Sequence, residues 1–338
     1  MPEISVLMTV FNGRAFIAEA IESILNQTFK DFEFIIVDNA SSDGTKGIVR
    51  SFNDSRIIFI ENKTNLGQTK ALNLGIKQAY GQFIARMDVD DVSLSERLEL
   101  QYNYLMQDPS LAVLGSWHEE VDSKGRHIKY FKMPTDPLEI KSYLISPGKL
   151  GYYCLSHPTV MMRKDVLFEV GLYNDSYLAQ DYDLWVRISR KYRISNLNKF
   201  LVKHRITNTQ QTKELKQEIE SDCKRIIISN ILNYLPEIKE KELMSLARML
   251  EYKPQISKED GFRVLGTFNL LLDRVIDYAN NNKTAMLLRI KMQCFYIPQL
   301  IKTNPLYSLM ILIRIISCYP MVIFDAKLYR KLLNAAAS

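Results

Sequence analysis

Cysteine and histidine are scarce, with four of each in 338 residues. Cys154, Cys223, Cys294 and Cys318 stand far apart with no C-x-x-C pair. That excludes a dense disulfide framework and a thiolate zinc site, and reads as reduced thiols. His118, His127, His157 and His204 also lack metal-ligand spacing, so a metal would have to be held by carboxylates. No internal repeat and no low-complexity tract is present. The opening MPEISVLMTVFN has Glu3 where a basic n-region would stand and no A-x-A-like cleavage site, so secretion is not expected. The basic residues are interleaved with aliphatics rather than gathered on a groove-binding helix, which argues against nucleic acid as a partner.

What is present fits a folded, soluble protein: 47% of residues are hydrophobic and 24% charged. The length allows one large domain or two modest ones at roughly 150 residues each. Charge is unevenly spread. From Lys283 onward eight basic residues face Asp325 alone, a net +7, so residues 1–282 carry −1 of the overall +6. Such asymmetry predicts a tail that meets an anionic surface.

The first hundred residues alternate short apolar runs with amphipathic stretches. Ile4–Val10, Phe32–Val37, Ile57–Ile60 and Phe83–Met87 read as strands, several of them apolar throughout, as strands buried on both faces should be. Ala15–Asn26, Thr45–Phe52 and Thr69–Ala79 have helical spacing, with Ser42-Asp43 offered as a helix cap. This alternation predicts a parallel α/β sheet, whose ligands gather at the carboxyl ends of the strands. Those ends carry Thr9-Val10-Phe11, Asp38-Asn39 and Asp88-Val89-Asp90-Asp91. Helix capping would explain Asp38 or Asp91 singly. It does not explain three carboxylates within four residues, which repel unless a cation sits among them.

Residues 95–107 read as a helix and Leu111–Ser116 as a strand, followed by a hairpin turning at Ser123-Lys124-Gly125. The stretch Pro134–Arg163 is expected to be irregular, broken by Pro147, Gly148, Gly151 and Pro158. Asp181–Lys191 has helical spacing with Leu184, Trp185 and Ile188 on one face. Beyond about Thr209 only helices are expected: Glu214–Leu232, Lys239–Leu250 and Phe262–Tyr278. Leu306–Phe324 is almost wholly apolar, but Arg314 at its centre disfavours a membrane span and favours an interfacial helix with basic flanks, or else a buried one.

The segments ISVLMTVFNG, FIIVDNASSDGT, NLGQTKALNLGI, FIARMDVDD, SHPTVMMR and AQDYDLWVRI occur in this order. Together they resemble the family 2 glycosyltransferases, in particular the bacterial branch that builds capsular, exopolysaccharide and O-antigen repeat units. The resemblance runs from residue 3 to about 207. It implies an α/β catalytic domain of the GT-A fold, a Rossmann-like, mainly parallel mixed sheet between helices, over residues 1–208. Residues 1–94 would be its nucleotide-binding half and 95–208 its acceptor-binding half. A helical C-terminal region, 209–338, follows, and nothing carries over to it.

The resemblance also assigns roles. Thr9, Phe11, Asp38 and Asn39 would line the nucleobase and ribose pocket with Lys70 nearby. Asn39 stands where many members have a second aspartate, so uridine is favoured while thymidine and guanosine stay open. Asp88, Asp90 and Asp91 match the DxD region. Asp88 and Asp90 would divide ribose and metal contacts, and Asp90 with Asp91 would hold Mn²⁺ or Mg²⁺, a hard cation that prefers carboxylates and phosphates. Asp181 would be the base that takes the acceptor proton, with the uncharged Gln180 in the place of a glutamate; capping its own helix is the other role open to it. Asp183 is expected to pair with Arg187 and Trp185 to be core. His157 either faces the sugar cleft or is structural, while His118, His127, Arg86 and Arg163 are expected at the surface. A metal-ligating histidine near His204 is not expected, because Thr207 falls where relatives carry it.

The implied activity is inverting transfer of a hexose or N-acetylhexosamine from a nucleotide-diphosphate sugar, UDP-sugar favoured, to an acceptor hydroxyl. The expected acceptor is a lipid-linked oligosaccharide, with the enzyme peripheral on the cytoplasmic face of the cell membrane through its basic tail. A homodimer is left open. A sugar nucleotidyltransferase would need a glycine-rich loop after the first strand, where Asn12-Gly13-Arg14 offers one glycine. A catalytically inactive glycan- or nucleotide-sugar-binding scaffold on the same fold would be expected to lose the carboxylates or the base, and both are present.

Overall fold

A computed structural model describes residues 1–144, 154–207 and 215–249, with Thr267 and Leu270. The chain divides into two compact units, Met1–Ile140 with Leu150–Cys223, and Lys141–Lys149 with Lys224–Ser338. In the first unit β1 (Ile4–Val10), β2 (Phe32–Asp38), β3 (Ile57–Glu61) and β4 (Phe83–Met87) alternate with α1 (Ile17–Leu25), α2 (Thr45–Ser51) and α3 (Gln68–Gln78). These strands are parallel and lie in the order β3-β2-β1-β4. Their apolar runs are explained by burial on both faces. Ile4, Val6, Met8 and Val10 of β1 pack with Ile17, Ala20, Ile21 and Ile24 of α1, while Leu7 meets α3 at Gly75, where a Cβ would lie 2.2 Å from it.

Past β4 the sheet becomes mixed. It continues through the two-residue β5 (Val92–Ser93), α4 (Arg97–Gln107), β6 (Leu111–Val121) and β7 (His127–Phe131). Next in the chain come α5 (Pro137–Leu144), β8 (Met161–Arg163), α6 (Lys164–Glu169), α7 (Gln180–Ser189) and β9 (Arg193–Arg205). β8 runs antiparallel between β4 and β6, and β9 runs parallel to β6 over its whole length. The β6–β7 hairpin turns where expected, with Gly125 at φ 77° and Asp122 Oδ1 accepting from the Lys124 and Arg126 N–H groups at 2.9 Å.

The stretch expected to be irregular holds α5, a 3₁₀ turn at His157–Thr159 and β8. Pro137 opens a helix, where a proline's missing N–H is no loss, and Asp136 Oδ1 caps it by accepting from Glu139 N at 2.8 Å. Pro158 likewise sits in the first turn of the 3₁₀ segment. Pro147, Gly148 and Gly151 lie outside the described residues. The expected helices after the catalytic domain appear as α8 (Lys216–Tyr234) and α9 (Glu240–Met249). The expected helix Phe262–Tyr278, apart from Thr267 and Leu270, and the apolar segment Leu306–Phe324 lie outside the described residues. No helix among the described residues is long and apolar enough to cross a membrane.

Gly81 leads into β4 where the chain passes against β1. A Cβ there would lie 2.4 Å from Ser5 N and 2.6 Å from the Ile4 carbonyl carbon, and backbone does not yield as a side chain does. Its N–H donates to Ser5 Oγ at 2.8 Å beside the buried Glu33. Gly81→Ala is therefore expected to cost about 1–3 kcal/mol in urea unfolding. Unchanged stability would show that β1 and β4 can part at this point.

Candidate active site

The chain runs outward from β1 to β3 and then returns across β1 to β4, so the direction of winding reverses between β1 and β4. Open α/β sheets bind ligands at such a reversal, beyond the carboxyl ends of the strands. Thr9, Phe11, Asp38 and Asn39 stand at the ends of β1 and β2, where two loops are zipped together. Asn12 N donates to Ser41 Oγ, Ser42 N to Asn12 Oδ1, Gly13 N to Thr45 Oγ1 and Arg14 N to Asp43 Oδ2, all within 2.8–2.9 Å. Asn12 and Ala40 adopt left-handed φ values of 54° and 67°. Such conformations cost an L-residue about 1–2 kcal/mol and persist because the surroundings hold them. Asp38 is fully buried. One of its oxygens accepts from Ser41 N at 3.0 Å, while Oδ1 is buried with no hydrogen-bond partner. Asn39 Oδ1 accepts from Leu66 N at 2.9 Å and Asn62 Nδ2 at 3.2 Å, fixing the loop that leads into α3. Phe11 is 53% exposed, a free aromatic face at this rim.

Beside β4 opens a cavity of about 680 Å³. Asp88 and Asp90 line it from the end of β4, Leu66–Lys70 from the start of α3, and Gln180 and Asp181 from the start of α7. Its far wall is His118, Glu120, Phe131, Met133 and His204. The structure thus brings Lys70, Asp88, Asp90 and Asp181 to one space. Thr9, Phe11, Asp38 and Asn39 lie at the neighbouring strand ends, outside that cavity's lining. Lys70 meets Asp175 at 3.8 Å.

The three clustered carboxylates have separate fates. Asp88 Oδ1 accepts from Arg86 Nη2 at 2.5 Å. Burial alone would raise its pKa, but the charges around it, the Arg86 guanidinium foremost, hold it below the usual carboxylate value. Asp91 is buried behind the cavity. Its Oδ1 accepts from Arg205 N at 2.9 Å, and His204 Nδ1 lies 3.0 Å from Oδ2. Burial would lower His204, yet Asp91 outweighs it and the imidazole rises to about 9, which makes it a cation at neutral pH. Asp90 makes no ion pair among the described residues, though Arg205 Nε holds its carbonyl at 2.9 Å. Burial, then the charges of Asp91 and Asp88, push its carboxyl up to about 7.

Asp181 stands in the first turn of α7, not at its cap, which is Ala179. Its Oδ1 accepts from Tyr182 N at 2.8 Å. Burial raises its pKa and the charge of Asp88 adds to that, while the Tyr182 N–H and Arg86 pull it down. Gln180 Oε1 accepts from Thr69 Oγ1 at 2.8 Å, joining the starts of α7 and α3. His157 lines the cavity and is hydrogen-bonded to the Tyr173 hydroxyl at 2.8 Å. Burial, then Arg86, press its pKa down to about 3, so it stays neutral. Asp183 pairs with Arg187 at 2.7 Å and Trp185 is core, both as expected.

Three expectations of surface placement fail. Arg86 is fully buried, because the strand it sits in is covered on both faces. Arg163 is part-buried and spends its guanidinium on the Leu111 and Leu105 carbonyls at 2.9 and 2.6 Å. His118 is 5% exposed, stacked on Phe131 with ring centroids 5.0 Å apart. β6 continues to Val121 instead of stopping at Ser116, so His118 is a mid-strand residue. His204, set aside as a functional residue in the sequence, lines the cavity. The strand period offered a signal for the first wall, since His118 and Glu120 share one face of β6.

A hard divalent cation suits this donor set. Asp90 is an oxygen donor without a counter-charge, at the edge of a space able to take a phosphate-bearing ligand, and Mg²⁺-type ions are held by one or two carboxylates plus phosphates.

The family model described as glycosyl transferase family 2 matches residues 5–171. An uncharacterized glycosyltransferase of Methanocaldococcus jannaschii is 36% identical over 213 residues, 61% of this chain and 72% of the relative. The O-antigen biosynthesis glycosyltransferase WbnJ of Escherichia coli is 36% identical over 219 residues, 62% of this chain and 82% of the relative. Among solved structures, S. aureus TarS in complex with UDP-GlcNAc matches with a TM-score of 0.58 at 20% identity, covering 88% of this chain and 86% of that one. The mannosyltransferase PcManGT from Pyrobaculum calidifontis, in complex with GDP-Man and Mn²⁺, matches with a TM-score of 0.52 at 15% identity, covering 99% and 86%. At these identities the likeness is one of fold.

His118 gives a pH signature. Burial, then the charges of His204 and Lys129, depress its pKa to about 3 from 6.5. Between those values the unfolded chain binds a proton that the folded one refuses. Stability from this group is complete above about pH 6.5 and is lost as pH falls, by at most about 1.4 kcal/mol per pH unit. Urea unfolding from pH 7 to 4.5 is expected to show wild type losing stability faster than His118→Phe, which keeps the stacked ring. Parallel profiles would mean that His118 titrates normally.

Proposed function

Because this chain belongs to glycosyl transferase family 2 and has the GT-A fold, we propose that it transfers a hexose or N-acetylhexosamine from a UDP-like donor to an acceptor hydroxyl, with inversion. The observation that carries this is the pairing, across one cavity, of an uncommitted carboxylate, Asp90, with a part-buried, upward-shifted one, Asp181. The nucleoside end of the donor lies against Thr9, Phe11, Asp38 and Asn39. Phe11 supplies a stacking face, and the unpartnered Asp38 Oδ1 an acceptor for a donor N–H or O–H group. Lys70 flanks the diphosphate, and Asp88 accepts from sugar or ribose hydroxyls. Mn²⁺ or Mg²⁺, when bound, would be held by Asp90 with the donor's phosphates, Asp91 standing behind in its pairing with His204, and would offset the charge that collects on the departing diphosphate.

Asp181 acts as the base. It takes the proton of the acceptor hydroxyl as that oxygen bonds to the anomeric carbon from the face opposite the diphosphate, and the bond to the diphosphate breaks. An upward-shifted carboxylate suits the task, since a base works best with its pKa near the operating pH. Burial supplies that shift here. For the acceptor we infer a growing saccharide of a bacterial surface polysaccharide, a reading supported by the likeness to WbnJ. The basic residues from Lys283 onward support a lipid-linked acceptor at an anionic membrane surface.

Nucleotide-sugars incubated with Mn²⁺ or EDTA, beside Asp90→Ala and Asp181→Asn, test this reading. One donor is expected to release its nucleoside diphosphate in a Mn²⁺-dependent manner. Asp90→Ala should abolish the metal response, and Asp181→Asn should slow transfer to acceptor by about 10²–10⁴-fold with donor binding intact. Absence of both turnover and metal-dependent nucleotide binding in wild type would favour a binding scaffold on the same fold.

A further inference from the structure

Arg97 and Arg86 are both fully buried, yet they are used differently. Arg97 spends its whole fork on bracing: it donates to Gln101 Oε1 at 3.1 Å, to the Arg86 and Val160 carbonyls at 2.7 and 3.3 Å, and to Met87 sulfur at 3.7 Å. Arg86 makes a single side-chain hydrogen bond among the described residues, from Nη2 to Asp88 Oδ1, and its Nε and Nη1 have no partner. Its backbone is pinned on both sides, N–H to the Val160 carbonyl at 2.9 Å and C=O from Arg97. A guanidinium that is buried, anchored and left with unspent donors does little cross-bracing. It supplies charge and direction to the carboxylate it touches.

We propose that Arg86 is a positioning residue for the transfer reaction, claiming Asp88 from beneath the cavity so that this carboxylate is aimed at the donor and held outside the metal's coordination shell. The inference rests on the donor and metal assignments made above. Two of the three clustered carboxylates are thereby engaged from within the protein, Asp88 by Arg86 at 2.5 Å and Asp91 by His204 at 3.0 Å. An incoming cation meets one open ligand, Asp90, instead of three competing ones. The same buried charge also acts on Asp181 and His157, which line the same cavity. Arg86 repels a metal ion while directing Asp88, so its removal should separate metal affinity from turnover.

Wild type, Arg86→Met and Arg86→Lys are compared by titration with Mn²⁺ alone, followed by the electron paramagnetic resonance of the free ion, and by donor kcat and KM. Arg86→Met is expected to bind Mn²⁺ several-fold more tightly, having lost a nearby cation and freed a carboxylate. Its kcat should fall by about 10²-fold with donor KM little changed, the cost of a misplaced contact. Arg86→Lys, which keeps the charge and loses the fork, should return Mn²⁺ affinity to the wild-type value and recover only part of kcat. A folded Arg86→Met with wild-type Mn²⁺ affinity and kcat overturns the inference. Should Arg86→Met fail to fold, wild-type kcat in Arg86→Lys overturns it instead. An active wild type with unaffected variants sinks this inference alone, whereas a wild type that neither binds Mn²⁺ nor turns over any donor sinks the parent reading with it.

Discussion

Three carboxylates within four residues cannot be buried together as anions, and much of this site is arranged around that repulsion. Each solution draws on a different part of the chain. Asp88 is balanced by Arg86 on its own strand, at a spacing of two that puts both side chains on one side of the sheet. Asp91 is balanced by His204, and by the Arg205 N–H, from the far end of β9. Asp90 makes no ion pair among the described residues, and burial, then the charges of Asp91 and Asp88, push its carboxyl up to about 7. The long parallel run of β9 beside β6 therefore has an electrostatic purpose. It carries a histidine and an arginine from more than a hundred residues away to the loop that needs them. Arg205 then reaches Asp90 carbonyl, Glu19 and the hairpin carbonyls of Asp122 and Ser123, so the acidic loop is anchored at both its charge and its backbone.

The two halves of the cavity are tied by polar contacts that span as large a stretch of sequence. Thr69 donates to Gln180, and Asn73 exchanges two hydrogen bonds with the Tyr173 backbone at 2.8 and 3.0 Å. α3, which borders the proposed donor, is thereby locked to the segment that delivers Asp181. At the other side of β1 the zipped loops hold Asn12 and Ala40 in left-handed conformations, a strain tolerated because four hydrogen bonds fix it. Preorganisation of this kind is what an electrostatic site needs, since dipoles and charges that are already placed need not reorganise as charge develops.

Much of this was legible in the sequence, and the limits are physical. The parallel strands could be read because burial on both faces makes them apolar throughout, and the carboxylates because their crowding has no bland explanation. Their counter-charges could not. Arg86 sits in the otherwise apolar run FIARM, where an arginine's usual fate is the surface, and only its spacing from Asp88 hinted otherwise. His118 reads as a surface residue because the strand pattern ends at Ser116, whereas β6 runs on to Val121. Whether His118 faces Phe131, and Glu120 faces His204, depends on registers shifted by irregularities around Ser116–His118 and Glu120–Val121, which no local pattern encodes. Pro158, read as a breaker, opens a 3₁₀ turn instead. Proline breaks helices from inside, but in the first turn it starts them.

The state of Asp181 is a balance among terms of opposite sign, and Gln180 helps to set it. Burial raises the carboxyl and the charge of Asp88 raises it further, while the Tyr182 N–H and the Arg86 guanidinium lower it. A glutamate at position 180 would bring one more carboxylate to a cavity already lined by Asp88, Asp90, Glu120, Asp175 and Asp181. It would also lose the neutral acceptor that Thr69 uses to join α3 to α7. Glutamine keeps the hydrogen bond and omits the charge. The upward shift of Asp181 then comes chiefly from loss of water, a cause that strengthens as a bound ligand expels more of it. In the role of base proposed for it, Asp181 gains basicity as the cavity fills, and the residue next to it in sequence keeps that response from being swamped by a permanent neighbouring charge.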